Sequence, residues 1–181
     1  MKITCLLILF VAGIINGAEL RTSSKEPVVV SAPEQWKALK DKTPSAAFPF
    51  ETYRIEPPTN RNAVCLISIY DKDKPEFSDA EFLKKLLKGD CRPYVGSPNE
   101  LSKVEAKELK LDGGLAFYAN FVDPDLVGKP VVRGSYKTVT PMIVSISSKY
   151  LIKITILCDQ IDGSDYRDVI AIVKTIKVKK E

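Results

Sequence analysis

No histidine occurs anywhere in the 181 residues. Ser-His-Asp and Cys-His nucleophilic systems need an imidazole that changes charge near neutral pH, and zinc and copper sites lean on the same ring. All of these are excluded together. Glycine is sparse, at nine residues. Neither Gly113-Gly114 nor Gly128 opens a phosphate loop, since the following Gly-Lys-Ser/Thr is missing and no GxGxxG occurs. Charge of one sign is lacking too: 27 basic against 23 acidic residues, mixed along the chain, describe a solvated surface and predict no nucleic-acid partner. No apolar run reaches the roughly 20 residues that a bilayer span requires, so the chain is not expected to span a membrane.

The longest apolar run is N-terminal. Lys2 precedes Leu6 to Val11, the run continues to Ile15, and Gly17 and Ala18 lead into the polar Glu19. That order predicts a secretory signal peptide over 1–18, although Asn16 is a poor fit before the cleavage point. The product is then exported, periplasmic or extracellular. Cys5 has no small-residue lipidation box before it, so a lipid-anchored form is not expected. Residues 19–27 read as a flexible leader, and 28–181 as one domain, large enough to build its own core.

Prolines bracket a first strand at Val28–Ser31, and Pro44, Pro49, Pro57 and Pro58 break 36–62 into short strands or loops laid over a core that includes Trp36. Ala63–Tyr70 is a strong strand with Ala63, Cys65, Ile67 and Ile69 on one face. Ser78 and Glu81 form a capping box for a helix that ends at Gly89. A hairpin turns at Asp112-Gly113-Gly114, with its second strand over 115–122. Strands follow at Thr138–Ile146 and Tyr150–Cys158, and Ser164 caps a last helix carrying Tyr166, Val169, Ile170, Val173 and Ile176 on one stripe. The expected fold is α+β: a mostly antiparallel sheet of about six strands with amphipathic helices packed on its faces, an α/β/α sandwich.

The order of these elements (AVCLISIY, then DAEFLKKLL, the hairpin KELKLDGGLAFYANF, the pair YKTVTPMIV and YLIKITILCD, and DYRDVIAIVKTI) resembles the PsbP-like superfamily. That group includes extrinsic photosystem subunits, the Ran-binding Mog proteins and DcrB-type envelope proteins. The resemblance covers most of 28–178 and rests on element order and hydrophobic pattern, without a short signature motif. It implies a bacterial exported relative used as a non-catalytic binding or assembly module, and it brings no ligand or cofactor with it.

Few constellations carry chemistry. Asp123-Pro-Asp125 with Gly128 begins like a calcium loop, but position five is Val127 and position twelve is Gly134, so the cage has no closing carboxylate. The bland reading is a loop tied by Asx turns. Asp159, Asp162 and Asp165 lie where a helix dipole and capping already account for carboxylates. Asp71 and Asp73 beside Lys72 and Lys74 read as a charged turn. No metal site and no cofactor follow.

The remaining candidate surface is the loop 123–135 with its flanks, presenting Asp123 and Asp125 at one end and Lys129, Arg133 and Lys137 at the other, with Tyr136 as an aromatic anchor. The expected role is an exported non-catalytic accessory or binding module whose partner is another envelope or secreted protein or a small ligand. A small hydrolase using carboxylates or Ser/Lys, and a metal-binding envelope protein, are the alternatives. For the cysteines, strand rise from Cys65 to Asp71 covers about 20 Å and helical descent from Ser78 to Gly89 about 17 Å. That path returns Cys91 to the level of Cys65 and predicts a Cys65–Cys91 disulfide with Cys158 free. Three reduced cysteines are the alternative.

Overall fold

The computed structural model describes residues 18–22, 26–40, 50–71 and 74–179. Residues 1–17 of the signal peptide expected over 1–18 lie outside them, as do Lys72, Asp73 and Lys180. The strands are β1 (Ala18–Arg21), β2 (Val28–Ala32), β3 (Lys37–Lys40), β4 (Glu51–Glu56), β5 (Ala63–Asp71), β6 (Lys107–Leu111), β7 (Gly114–Tyr118), β8 (Phe121–Val122), β9 (Thr138–Ile146), β10 (Tyr150–Cys158) and β11 (Lys177–Val178). The α-helices are α1 (Ala80–Cys91), α2 (Pro98–Ser102) and α3 (Ser164–Val173).

Eight strands form one sheet in the order β3-β4-β5-β10-β9-β7-β6, with β8 paired to β9, and β1-β2-β11 form a second sheet. Every pair is antiparallel. The central ladder is β5–β10–β9, where Ile154 faces Ile67 on one side and Met142 on the other.

Alternation places two cores on opposite faces of the large sheet. One holds Cys65, Ile67, Ile69, Met142, Val144, Ile152, Ile154 and Ile156 under the small sheet and α3, with Trp36 and Tyr166. The other holds Ile143, Leu151 and Phe117 under Leu83, Leu87 and Cys91 of α1. Burying even one Ile or Leu side chain contributes about 1.5–3 kcal/mol, so these two layers dominate stability.

The α/β/α sandwich with six strands is corrected. Strands make up 40% and helices 25% of the structure, and the large sheet alone has eight strands. One face is covered by the small sheet together with α3, and on the other α1 packs chiefly against β7 and β9. The extra strands come from segments with little alternation: β3 has an exposed pattern, and β11 and β8 are two residues each. The leader is corrected as well, because residues 19–21 lie in β1 and pair with β2.

Helix ends also differ from expectation. Asp79, not Ser78, caps α1, its carboxylate accepting from the backbone N–H groups of Glu81 and Phe82, and the helix runs through Gly89 to Cys91. Gly163 occupies the cap of α3, one residue before Ser164.

Candidate functional site

The loop from Asp123 to Lys137 leaves β8 and returns into β9. Its base closes where the Asp123 N–H donates to the Lys137 carbonyl at 2.8 Å. Asp123 then accepts from the Asp125 N–H at 2.9 Å, an Asx turn that starts the 3-10 turn Pro124–Leu126. Gly128 and Gly134 take φ of 74° and 82°, the left-handed region that a side chain disfavours, and so set the loop's two bends. Lys137 Nζ donates to the Lys129 carbonyl across the loop.

The strongest tether comes from outside the loop. Asn62 is 9% exposed, and its Oδ1 accepts from the Gly134 N–H at 3.0 Å. Its Nδ2 donates to the Ser135 carbonyl at 3.0 Å and to the Asp159 carboxylate at 2.9 and 3.0 Å. Next door, Arg61 pairs with Asp165 at 2.6 Å and Asp168 at 2.7 Å on α3 and lies 5.2 Å over the Trp36 ring. Burial alone would lower the Arg61 pKa, but hydrogen bonds to Asp165 and Asp168 reverse this and raise it. Asp159 and Asp165 therefore anchor a loop and an arginine. Asp165 also stands in the first turn of α3, where the helix dipole favours a carboxylate as expected, but no side chain caps that helix.

Of the six sequence-predicted surface residues, Asp123, Asp125, Lys129 and Arg133 are exposed, while Tyr136 and Lys137 are half-buried. Burial, then the nearby Glu56 carboxylate, raises the Tyr136 pKa. The loop also displays what its charges did not signal: Val127, Val131 and Val132 are 62%, 57% and 61% exposed.

Beside the loop, the β4–β5–β10 half of the α1 face forms a trough. A hollow of about 440 Å³ is lined by Thr52, Arg54, Ser68, Lys153 and Thr155 and walled by Pro93 and Tyr94. Pro93 and Tyr94 also wall a more apolar hollow of about 520 Å³, which Phe121, Val139, Leu157 and Tyr136 complete. Tyr136 continues into a third, of about 380 Å³, with Arg61, Asn62 and Arg133. Tyr94 rests on Phe121 at 5.5 Å between ring centres, and Lys153 pairs with Asp90 at 2.7 Å. Sequence reasoning missed Asn62, Arg61, Tyr94 and Lys153. The first two sit in a proline-flanked stretch whose residues read only as short strands or loops, and the others are indistinguishable from ordinary surface.

The Cys65–Cys91 disulfide is corrected. Cys65, Cys91 and Cys158 are all free and buried. Cys65 faces the core under the small sheet and Cys91 the core under α1, so the large sheet lies between them. Equal height along the strand does not bring the two thiols together, because α1 covers the face opposite the one on which Cys65 is buried. Among the described residues no group of three Cys, Asp or Glu side chains forms a metal cage.

Fold and site together define a mostly antiparallel, two-sheet β domain with a pinned, apolar-tipped loop beside an open trough. No protein-family model matches the chain, and no curated protein does either.

Proposed function

We propose that the protein is an exported, non-catalytic accessory module that binds an envelope or secreted partner, or a small ligand, through the loop 123–135 and the adjoining trough. The observation that carries this reading is the Asn62 tether. A loop whose residues 127–134 are all exposed is nevertheless held in one shape by a nearly buried side chain. Ordering a surface loop in advance removes part of the entropy cost of association. The trough supports the same reading, since Tyr94 and Tyr136 give it aromatic walls of the kind that anchor partners.

The test is a cross-linked pull-down of the full chain from its native envelope, set against the double variant Lys129→Ala/Arg133→Ala. Capture should fall while the melting temperature stays nearly the same, because exposed charges contribute only about 0–1 kcal/mol to folding. Unaltered capture by the double variant would count against this surface.

A further inference from the structure

We propose that the tip of the loop 123–135 seats on an anionic lipid bilayer surface, its valines entering the acyl boundary and its basic side chains meeting lipid phosphates. The inference rests on the reading of this loop as the binding surface and names what that surface contacts.

Six large apolar side chains are exposed among the described residues, and four of them, Val122, Val127, Val131 and Val132, fall within one short segment. Chance scatter of surface apolar residues does not concentrate them so. Interleaved with them are Lys129, Arg133 and Lys137, and no acidic residue lies between Val127 and Lys137. Lys129 and Arg133, like several other surface cations, have no ion-pair partner among the described residues. Free cations beside exposed apolar side chains are complementary to an interface that offers phosphates above and hydrocarbon below.

The shape favours a bilayer over a protein. Residues 127–134 are exposed without a break; the loop's far end is tied to Asn62 at Val132, Gly134 and Ser135, and Arg133 also lines the hollow beside Tyr136, while Val127 and Val131 stay open to solvent. Protein partners are gripped chiefly by large side chains seated in desolvated pockets, whereas the exposed apolar side chains at this tip are valines, which are under-represented among such anchors. A bilayer needs no pocket. Apolar insertion plus basic attraction are also the two signals that reversible membrane seating requires. No helix among the described residues is long and apolar enough to cross a membrane, so the contact is peripheral to whatever else holds the chain.

The experiment uses the full chain with Val131→Trp, read by fluorescence against vesicles of phosphatidylcholine alone or with about one third phosphatidylglycerol, the fixed signal of buried Trp36 being subtracted. A probe at position 131 reports the loop itself, independently of the apolar N-terminal run. The expected result is a blue shift, and quenching by brominated acyl chains, on the anionic vesicles only. Raised salt should reverse it, and Lys129→Ala or Arg133→Ala should each weaken vesicle affinity about fivefold. An unshifted spectrum on anionic vesicles, or an equal shift on phosphatidylcholine, overturns the proposal. So does a shift with soluble poly-glutamate and none with vesicles, which would make the occupant an acidic polypeptide. If position 131 ignores vesicles while the Lys129/Arg133 double variant still loses partner capture from a membrane-free extract, the lipid seat falls and the binding module stands.

Discussion

Asn62 Oδ1 accepts a hydrogen bond from the Gly134 N–H at 3.0 Å, joining the start of β5 to the far bend of a loop 72 residues later in the chain. The same amide holds Asp159 at the end of β10. Replacing Asn62 with Ala strands a backbone donor and a carboxylate together, and should cost about 1–3 kcal/mol in urea unfolding. Amide exchange at Gly134 should accelerate, while exchange in the β5–β10 ladder falls only with global stability. Asn62→Asp should be worse than Asn62→Ala, because it sets a second carboxylate against Asp159. Equal stability of Asn62→Ala and wild type would show that the tether is incidental.

Arg61 presents separate prongs to Asp165 and Asp168, and its side chain is 20% exposed. A lysine keeps the charge but loses the fork, so Arg61→Lys should lose about 1–2 kcal/mol. A double-mutant cycle with Asp165→Asn should return a coupling of about 1 kcal/mol, and additive losses would place the effect in packing against Trp36 instead.

Alkaline titration should expose the buried thiols. Burial pushes the Cys65 thiol up from 9.0 to about 12, and burial followed by Asp90 pushes Cys91 up to about 11. Below pH 9.0 both thiols are neutral whether the chain is folded or not, and their contribution is fully present. As pH rises past 9.0 the unfolded chain ionises first, and stability is lost progressively until the folded thiols titrate near 11 and 12. Tyr166, raised by burial from 10.0 to about 12, adds to the decline above pH 10.0. Urea midpoints should therefore drop steadily above pH 9.0, and at neutral pH Cys65, Cys91 and Cys158 should label only as fast as the protein unfolds. Rapid labelling of any of the three in the native state would contradict their placement.

Two turn positions should respond in opposite directions. Ser147 and Ser148 both take left-handed backbone, φ 51° and 50°, in the turn closed by the Lys149 N–H on the Ile146 carbonyl. That conformation suits Asn-Gly, so Ser148→Gly should raise stability by about 0.5–1 kcal/mol. Gly114 is the converse case, because an added Cβ would meet the Ser145 carbonyl oxygen at 2.7 Å. Gly114→Ala should cost about 1–3 kcal/mol by forcing β7 from β9. Thermal melts of the two variants moving in the same direction would refute this account.

What was legible in the sequence follows from periodicity. β5, β9 and β10 alternate or run apolar for nine residues each, and α3 repeats at helical spacing, so all four were readable. β1, β3 and β11 were not, because short strands whose side chains are largely exposed leave no period to count. Their patterns suggest a leader, a stretch of short strands or loops, and a tail, which lowers the strand count and hides the small sheet that shares one face with α3. The loop 123–135 was legible from its prolines and glycines and from the strands around it. Its tether was not, since Asn62 acts through partners about 70 and 100 residues away, and no local pattern marks such a residue.

The middle strand of the small sheet has a consequence for how the polypeptide is made. β2 pairs with β1 at once, but its other edge must wait for Lys177 and Val178, and Ser31 waits for the Thr175 hydroxyl. Once everything through β10 is available the large sheet can be complete while one of its oily faces still lacks α3 and β11. Val28 and Val30, both fully buried in the finished protein, stay wet until α3 and β11 emerge. Closure therefore waits for α3 and β11 to emerge, and the growing chain should remain pliable and chaperone-accessible until then.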